Sequence, residues 1–569
     1  MRTGLLFFAL LGLCPALAGE SRPDGFFRPG TVTVGGEIGR RMEITLEKML
    51  KRTDIERTFV RHFRTRHEKN DELGGFAGYG MFLDALVKAA AHGIGGTETV
   101  AAKDRLLAEL ADLQTPDGRI SMFSGKPGQW DNHEAAYLIQ ALSLDHRWFG
   151  SEASLQIARR LADSLIAGKS YTTLGSETAF LLLFAETGDR KYREWVEQEA
   201  FIRADIETYD RKVKVNGAQQ VYTFLARALG QLQYADWIGA DGDMRTGLAA
   251  AADEAFRRAR GPYLSVTGSI TGTPWWGEYW DDTQTGLGKW GETCASAYLM
   301  RLAAKAGEGG ADPPYGDLFE RVMYNAFFAE QSSDGLRYRY YTPFNQRGEW
   351  FRQDTYCCPN NYKREVFEIP DFVFLRTADG VTVNLYSDAE LADGDIAIAM
   401  KTAYPDDGAV LLDVKMPADR RVLKLRIPEW CEEATIQVAD GVRQTARPGW
   451  FALERDFSAS VRVRLDLPMP VRLVPGIRAQ EGRVAVMRGP CVYALVLGEG
   501  DEPEYNVDIW ELDRSFPFAW NAAKRTVDAT IRLNNRRHET RDVSLVRFAS
   551  DKHDRIYFKV VENKGDSDR

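Results

Sequence analysis

The chain has 569 residues, 44% of them hydrophobic and 27% charged, proportions that exclude a disordered or fibrous protein. Its length predicts about two to four domains with room for large cores. With 73 Lys and Arg against 82 Asp and Glu the net charge is −9, so no basic excess exists to neutralise phosphates and wholesale nucleic-acid binding is excluded.

The first predicted element is a secretory signal. Arg2 precedes the apolar run Leu5–Leu13, and Ala16-Leu17-Ala18 gives the small-x-small pattern for cleavage after Ala18. The run is too short to span a bilayer, and no later stretch is long and apolar enough to do so. The expectation is a protein exported to a bacterial periplasm or beyond the cell, with a signal at 1–18 and no membrane span.

Twelve helices follow. They are predicted at Glu37–Arg52, Gly75–His92, Val100–Leu113, Asn132–Trp148, Glu152–Ala167 and Ser176–Glu186. The second six are Arg190–Arg203, Ala218–Ala235, Met244–Arg260, Glu292–Lys305, Tyr315–Glu330 and Tyr362–Phe374. The fifth shows the basis: Leu155, Ala158, Leu161, Ala162 and Leu165 form one apolar stripe at helical spacing. Six antiparallel pairs can close a ring, an (α/α)6 toroid whose inner ends form a cleft; an open helical solenoid is the alternative. Gly261–Gly291, rich in Gly, Thr and Trp, interrupts the pairing, and long loops inside compact domains are commonly functional.

After about Val381 the hydrophobic period changes to two. Leu423, Leu425 and Ile427 alternate with Lys424 and Arg426, and Val461, Val463, Leu465 and Leu467 with Arg462, Arg464 and Asp466. Two antiparallel β-sandwiches are predicted, dividing near Pro468–Arg478. The fold class is therefore multidomain α+β: a catalytic toroid at 19–376, a first sandwich at 377–470 and a second at 471–569.

Five cysteines remain after removal of Cys14: Cys294, Cys357, Cys358, Cys431 and Cys491. An odd number cannot pair completely, and exported thiols oxidise unless buried or held by metal. Glu292, Cys294, Cys357 and Cys358 together offer three soft thiolates and a carboxylate, a donor set suited to tetrahedral Zn²⁺. The spacing is not that of a zinc finger, and buried core thiols remain the alternative on spacing alone.

These residues carry a resemblance. Glu292–Ser296 reads Glu-Thr-Cys-Ala-Ser and Cys357–Asn361 reads Cys-Cys-Pro-Asn-Asn. With Gly35–Gly39, Leu425–Trp430 and Val486–Tyr493, the chain resembles glycoside hydrolase family 127, the β-L-arabinofuranosidase-like enzymes, over nearly its whole length after the signal. The resemblance implies that Cys357 is the nucleophile, Glu278 the general acid/base, and Glu292, Cys294, Cys357 and Cys358 the ligands of a zinc cofactor. It implies a retaining hydrolase that releases a terminal L-arabinofuranose-like sugar, or a modified or branched relative, from plant or algal glycans. Its partner is then an oligosaccharide or a polysaccharide side chain, with the protein a monomer or homodimer.

Departures from the family pattern bear on the sugar. Asn360 stands where a second Pro is usual. Ala218 replaces a family His, Thr172–Gly175 lacks another, and Tyr137 takes the place of a third, with His133 one turn away. Tyr340 matches a family tyrosine although Thr342 replaces the Asn that follows. Arg364 matches an Arg that either orients substrate or pairs with Glu365 or Glu368. Tyr137, His133, Tyr340 and Arg364 are the candidate substrate-binding residues, and the altered set implies the same reaction on a different or modified sugar. Two further readings are a polysaccharide lyase, disfavoured by only 7 His, and a non-catalytic glycan-binding protein with a structural zinc.

Overall fold

The computed structural model describes residues 25–66, 78–125, 129–170, 176–198, 220–273, 278–308, 313–351, 355–419, 421–439, 441–498, 509–533 and 539–561. The expected signal at 1–18, the Thr172–Gly175 and Gly217-Ala218 departures, and the ends of the helices expected from Gly75, to Arg203 and from Ala218 lie outside the described residues.

The helical region precedes the sheets, as the change of hydrophobic period predicts. Its helices are α1 (Gly36–Ile44), α2 (Arg61–Thr65), α3 (Tyr79–Ala91), α4 (Gly96–Leu113), α5 (Gln129–Phe149), α6 (Glu152–Ala167) and α7 (Ser176–Thr187). They continue with α8 (Arg190–Gln198), α9 (Val221–Trp237), α10 (Gly242–Ala259), α11 (Thr293–Ala306), α12 (Pro313–Val322) and α13 (Cys357–Glu365). The odd-numbered helices from α3 to α13 pack each on the next, and α13 packs back on α3, so six inner helices close a ring. The helices α4, α6, α8, α10 and α12 lie outside it, each against the inner helix before it.

Sequence distinguishes the two layers. The outer α6 buries one stripe, including Leu155, Ala158, Leu161 and Leu165, whereas the inner α3 buries every residue from Tyr79 to Ala90. A helix surrounded by others is small or apolar over most of its circumference, and the buried exceptions on α3, Asp84 and Lys88, pair with each other. Gly80 permits the tight α3–α5 crossing: a Cβ there would come 2.6 Å from the Leu138 backbone nitrogen.

Several boundaries differ from expectation; in the first helix, expected to Arg52, regular α geometry ends at Ile44 and a wider turn carries the chain to Leu50. The helix predicted from Tyr362 starts at Cys357, because Pro359 falls in its first turn, where a missing N–H costs no hydrogen bond. It ends at Glu365, and Phe374 belongs to a strand. The helix predicted to Glu330 leaves regular α geometry after Val322 and reaches Glu330 through one wider and one tighter turn.

The described strands form two large sheets, a four-stranded one, and a two-stranded ribbon of β2 (Gly272–Thr273) and β3 (Lys289–Trp290). In the first, β1 (Val32–Val34), β6 (Ala389–Asp393), β7 (Ile396–Thr402), β8 (Ala409–Lys415), β13 (Val461–Asp466), β10 (Ala434–Val438) and β11 (Gln444–Ala446) lie side by side. The sequence did not mark β1, a three-residue edge strand whose partner β6 is over 350 residues away. The four-stranded sheet is β12 (Gly449–Glu454), β9 (Val422–Ile427), β5 (Gly380–Val383) and β4 (Phe374–Arg376). After Val471 eight strands make the last sheet, which curls until Tyr557–Val561 pairs with Val484–Arg488 as well as with Trp510–Asp513.

Both sheet systems dock on α12 and the turn after it. Arg426, fully buried, pairs with Asp317 and with Glu320 at 2.9 Å, and the Trp430 indole donates to Glu320 at 3.2 Å. Asn325 donates to Pro490 O at 2.9 Å and accepts from Val492 N at 2.8 Å. The Leu425–Trp430 and Val486–Tyr493 motifs are therefore docking motifs that brace the ring. No described helix is long and apolar enough to cross a membrane.

Candidate active site

The cleft chemistry sits where the first turns of α11 and α13 meet inside the ring. Glu292 is the residue before α11, Cys294 lies in its first turn, and Cys357 and Cys358 open α13. The Cys294 and Cys358 sulfurs are 3.2 Å apart, well beyond a disulfide bond of about 2.05 Å, so both are thiols. Cys358 Sγ lies 3.6 Å from Glu292 Oε1, and one ligand atom from each of the four residues falls within 4.8 Å of all the others.

Adjacent cysteines reach one point because the chain turns sharply before them. Tyr356 has φ 81° and ψ 162°, a conformation that costs a non-glycine residue about 1–3 kcal/mol. Asn360 Nδ2 holds the Tyr356 carbonyl at 2.8 Å, while Asn360 Oδ1 accepts from Lys363 Nζ at 3.3 Å. A proline at 360, the usual family residue, has no donor for that carbonyl.

Burial dominates the electrostatics. It pushes the Glu292 carboxyl and the Cys294 and Cys358 thiols well above their ordinary values. Cys357 goes the other way, drawn down by hydrogen bonds from Cys294, Cys358 and Tyr340 against the effect of burial. Glu292 Oε2 is buried without a hydrogen-bond partner. Three sulfurs and a carboxylate with an unsatisfied oxygen, converging in a space open only at Cys357, fit a soft divalent cation with tetrahedral preference.

Glu278 faces the cluster and is 6% exposed. Its Oε1 accepts from the Tyr340 and Tyr341 hydroxyls at 3.4 and 3.5 Å, and its Oε2 from Gln220 Nε2 at 2.5 Å. Val221 N donates to the Glu278 carbonyl at 2.8 Å, tying this loop to the start of α9. Burial raises its carboxyl, and Cys357 raises it further. The Tyr340 hydroxyl also lies 3.6 Å from Cys357 Sγ, so contacts of 3.4 and 3.6 Å through one oxygen put Glu278 Oε1 and Cys357 Sγ at most about 7 Å apart.

The other candidates lie deeper. His133 is fully buried, edge-on to Tyr137 at 4.9 Å. Tyr137 shares its hydroxyl hydrogen bond with Tyr298 at 2.5 Å. Arg364, 1% exposed, stacks 4.4 Å over the Tyr137 ring and pairs with Asp84 and Asn361. Glu365 and Glu368, the partners considered for Arg364 from sequence, pair instead with Arg301 at 2.7 and 2.8 Å. Thr342 is buried and donates to Gly291 O at 3.3 Å, shaping the turn that enters Glu292. Sequence reasoning did not single out Gln220, Tyr341, Asn361 or Asp84. Tyr341 adjoins Tyr340 and Asn361 closes the cysteine motif, and those were the available signals; Asp84 and Gln220 carry none.

Comparisons with known proteins agree on one family. A model described as the GH127 catalytic domain of beta-L-arabinofuranosidase matches residues 74–371, and its GH127 middle-domain counterpart matches 380–469. A non-reducing end beta-L-arabinofuranosidase of Bifidobacterium longum subsp. longum is 25% identical over 506 residues, covering 75% of this chain and 76% of that protein. Among solved structures, a GH127 beta-arabinofuranosidase superposes with a TM-score of 0.79 at 20% identity, covering 95% of this chain and 98% of its own. A GH127 beta-L-arabinofuranosidase from Geobacillus stearothermophilus T6 gives 0.74 at 19% identity, with 93% and 100% covered. At these identities the two structures establish the shared fold.

Of the five described cysteines only Cys357 is partly exposed. Brief treatment of the native protein with iodoacetamide should therefore alkylate Cys357 and spare the other four, as read by peptide mapping. Faster labelling of Cys294 or Cys358 would contradict this arrangement.

Proposed function

The chain belongs to glycoside hydrolase family 127 and is a glycoside hydrolase; on that premise we propose that it is exported and releases a terminal L-arabinofuranose-like sugar, or a modified or branched relative, from plant or algal glycans by a retaining double displacement. Family membership favours hydrolysis over the eliminating and non-catalytic readings. The observation that carries the mechanism is the Tyr340 hydroxyl, which touches both Glu278 and Cys357 and so sets two reactive groups across one small gap. Retaining glycosidases hold nucleophile and acid/base about 5–5.5 Å apart in the carboxylate case.

In the first step the Cys357 sulfur forms a bond to the anomeric carbon as the glycosidic C–O bond breaks, and Glu278 delivers its proton to the departing oxygen. In the second, Glu278 takes a proton from water, the water oxygen bonds to the anomeric carbon, and the Cys357 sulfur leaves with its electron pair. Glu278 suits both steps because burial keeps its carboxyl high enough to carry a proton. Glu292, Cys294, Cys357 and Cys358 would hold a zinc ion, which when bound supplies the positive charge that keeps buried thiols deprotonated.

The domain division at 376/377 and 470/471 is proposed with the same mechanism. It is supported by family matches ending at 371 and 469 and by strand β13 ending at Asp466 before the last sheet begins at Val471.

Cys357→Ser should abolish nearly all turnover, since a neutral hydroxyl is a poor nucleophile there. Glu278→Gln with an activated aryl glycoside should accumulate a thioglycosyl adduct, because such a leaving group needs little protonation and no base remains to activate water. Intact-protein mass spectrometry with peptide mapping checks this; an adduct on any other residue would overturn the role of Cys357.

The pH profile follows from the same groups. Turnover requires the protonated Glu278 carboxyl, so kcat/KM should fall as pH rises through its raised folded pKa. The Tyr340 hydrogen bond lowers that pKa. Tyr340→Phe should therefore move the basic limb to higher pH, and a limb that stays or moves down would contradict the assignment.

The altered sugar-contacting positions, Ala218, Thr172–Gly175 and Tyr137, predict weak or no activity on simple β-L-arabinofuranosides. Sites built to bind a sugar hydroxyl discriminate strongly when those partners change. Efficient hydrolysis of an aryl β-L-arabinofuranoside would refute that reading, and mass spectrometry of products from a plant and algal oligosaccharide panel would identify the sugar.

A further inference from the structure

We propose that Arg364 and Asn361 form a positioning relay that aims a hydrogen-bond donor at the Cys294 sulfur, so that Arg364 serves the ligand cluster from beneath and does not contact sugar. The inference rests on the metal reading of the cluster and deepens it.

Chemistry fixes the direction of the relay. A guanidinium has only donors. Arg364 Nη1 lies 3.0 Å from Asn361 Oδ1, so the atom facing Arg364 must be the amide oxygen. The amide nitrogen is then left facing Cys294 Sγ, 3.1 Å away. Sulfur is thereby made the acceptor, and a buried partner that orients and satisfies a ligating atom supports the metal it would hold. Without Arg364 the amide can turn over and present its oxygen to the sulfur, which repels a thiolate.

Besides Asn361, two residues hold Arg364. Its Nε donates to Asp84 on α3, its plane stacks 4.4 Å from the Tyr137 ring, and Asp84 is shared with Lys88 Nζ at 2.6 Å. Asp84, Asn361 and Arg364 are all at most 1% exposed. The relay thus spans the ring from α3 to α13 and ends on α11. A lysine at 364 offers one point charge and no rigid fork, so it cannot hold Asp84 and Asn361 at once in these directions.

The division of labour among the sulfurs follows. Cys294 receives its donor from a buried amide with no route to solvent, whereas Cys357 receives one from Tyr340, beside Glu278. Cys294 is a fixed ligand and Cys357 the reactive one.

The test measures metal and not turnover. Zinc affinity is read by competition with a chromophoric chelator for the full-length wild type, Asn361→Asp and Arg364→Lys, with melting curves to verify folding. Asn361→Asp keeps the shape and the Arg364 contact but replaces the donor by a carboxylate oxygen. It should weaken zinc binding about 10–100-fold, with Arg364→Lys in the same direction. In the cobalt-substituted proteins the sulfur-to-metal charge-transfer band should shift, a signature that a merely structural role would leave in place. Zinc affinity within twofold of wild type and an unmoved band in a folded Asn361→Asp protein would overturn the relay. If the wild type itself binds no zinc, the metal reading of the cluster fails instead, and the two failures are told apart by that control.

Discussion

Four acidic groups occupy one buried point, and burial alone would keep three of them protonated. Two features of the backbone favour their anionic forms. Glu292 and Cys294 stand at the N-terminal end of α11, and Cys357 and Cys358 at that of α13, where unsatisfied N–H groups and the helix dipole favour negative charge. The unpartnered Glu292 oxygen marks what remains unbalanced. A cation would complete this arrangement, since one ligand atom from each of the four residues already lies within 4.8 Å of the others.

The ring exists to bring those two helix ends together. Inner helices α11 and α13 pack directly on each other, α13 closes the ring on α3, and Gly80 allows α3 to approach α5 at backbone contact. The sheets contribute from outside by clamping α12, which follows α11 in the chain, through the buried Arg426 and Asn325. The N-terminal strand β1 stitches the first sheet to the helix that precedes the ring.

Much of this was legible in the sequence. Helix α6 was bounded correctly because a Ser cap, one clean apolar stripe and a terminal glycine all agreed. The candidates Glu278, Glu292, Cys294, Cys357 and Cys358 were grouped by their motifs' resemblance to the family; in the structure one ligand atom from each of the last four lies within 4.8 Å of the others, and Glu278 faces them across the Tyr340 hydroxyl. What was not legible came from distance and burial. The helix after the cysteine pair was expected only from Tyr362, but it begins at Cys357 with Pro359 in a first turn where proline is tolerated. Arg364 was read as orienting substrate or pairing with Glu365 or Glu368, because its ion-pair partner Asp84 is 280 residues away and nothing in the local pattern pairs them. Asn360 looked like a lost proline until the Tyr356 carbonyl it holds came into view.

In the proposed mechanism a thiolate at Cys357 set opposite Glu278 is the feature on which the function turns, and stereochemistry tests it directly. Proton NMR of the sugar released early in hydrolysis, before mutarotation, reads the anomeric configuration of the first product. Double displacement through Cys357 predicts the same configuration as the substrate. An inverted product would mean that water attacks in a single step, and the covalent role of Cys357 would be contradicted.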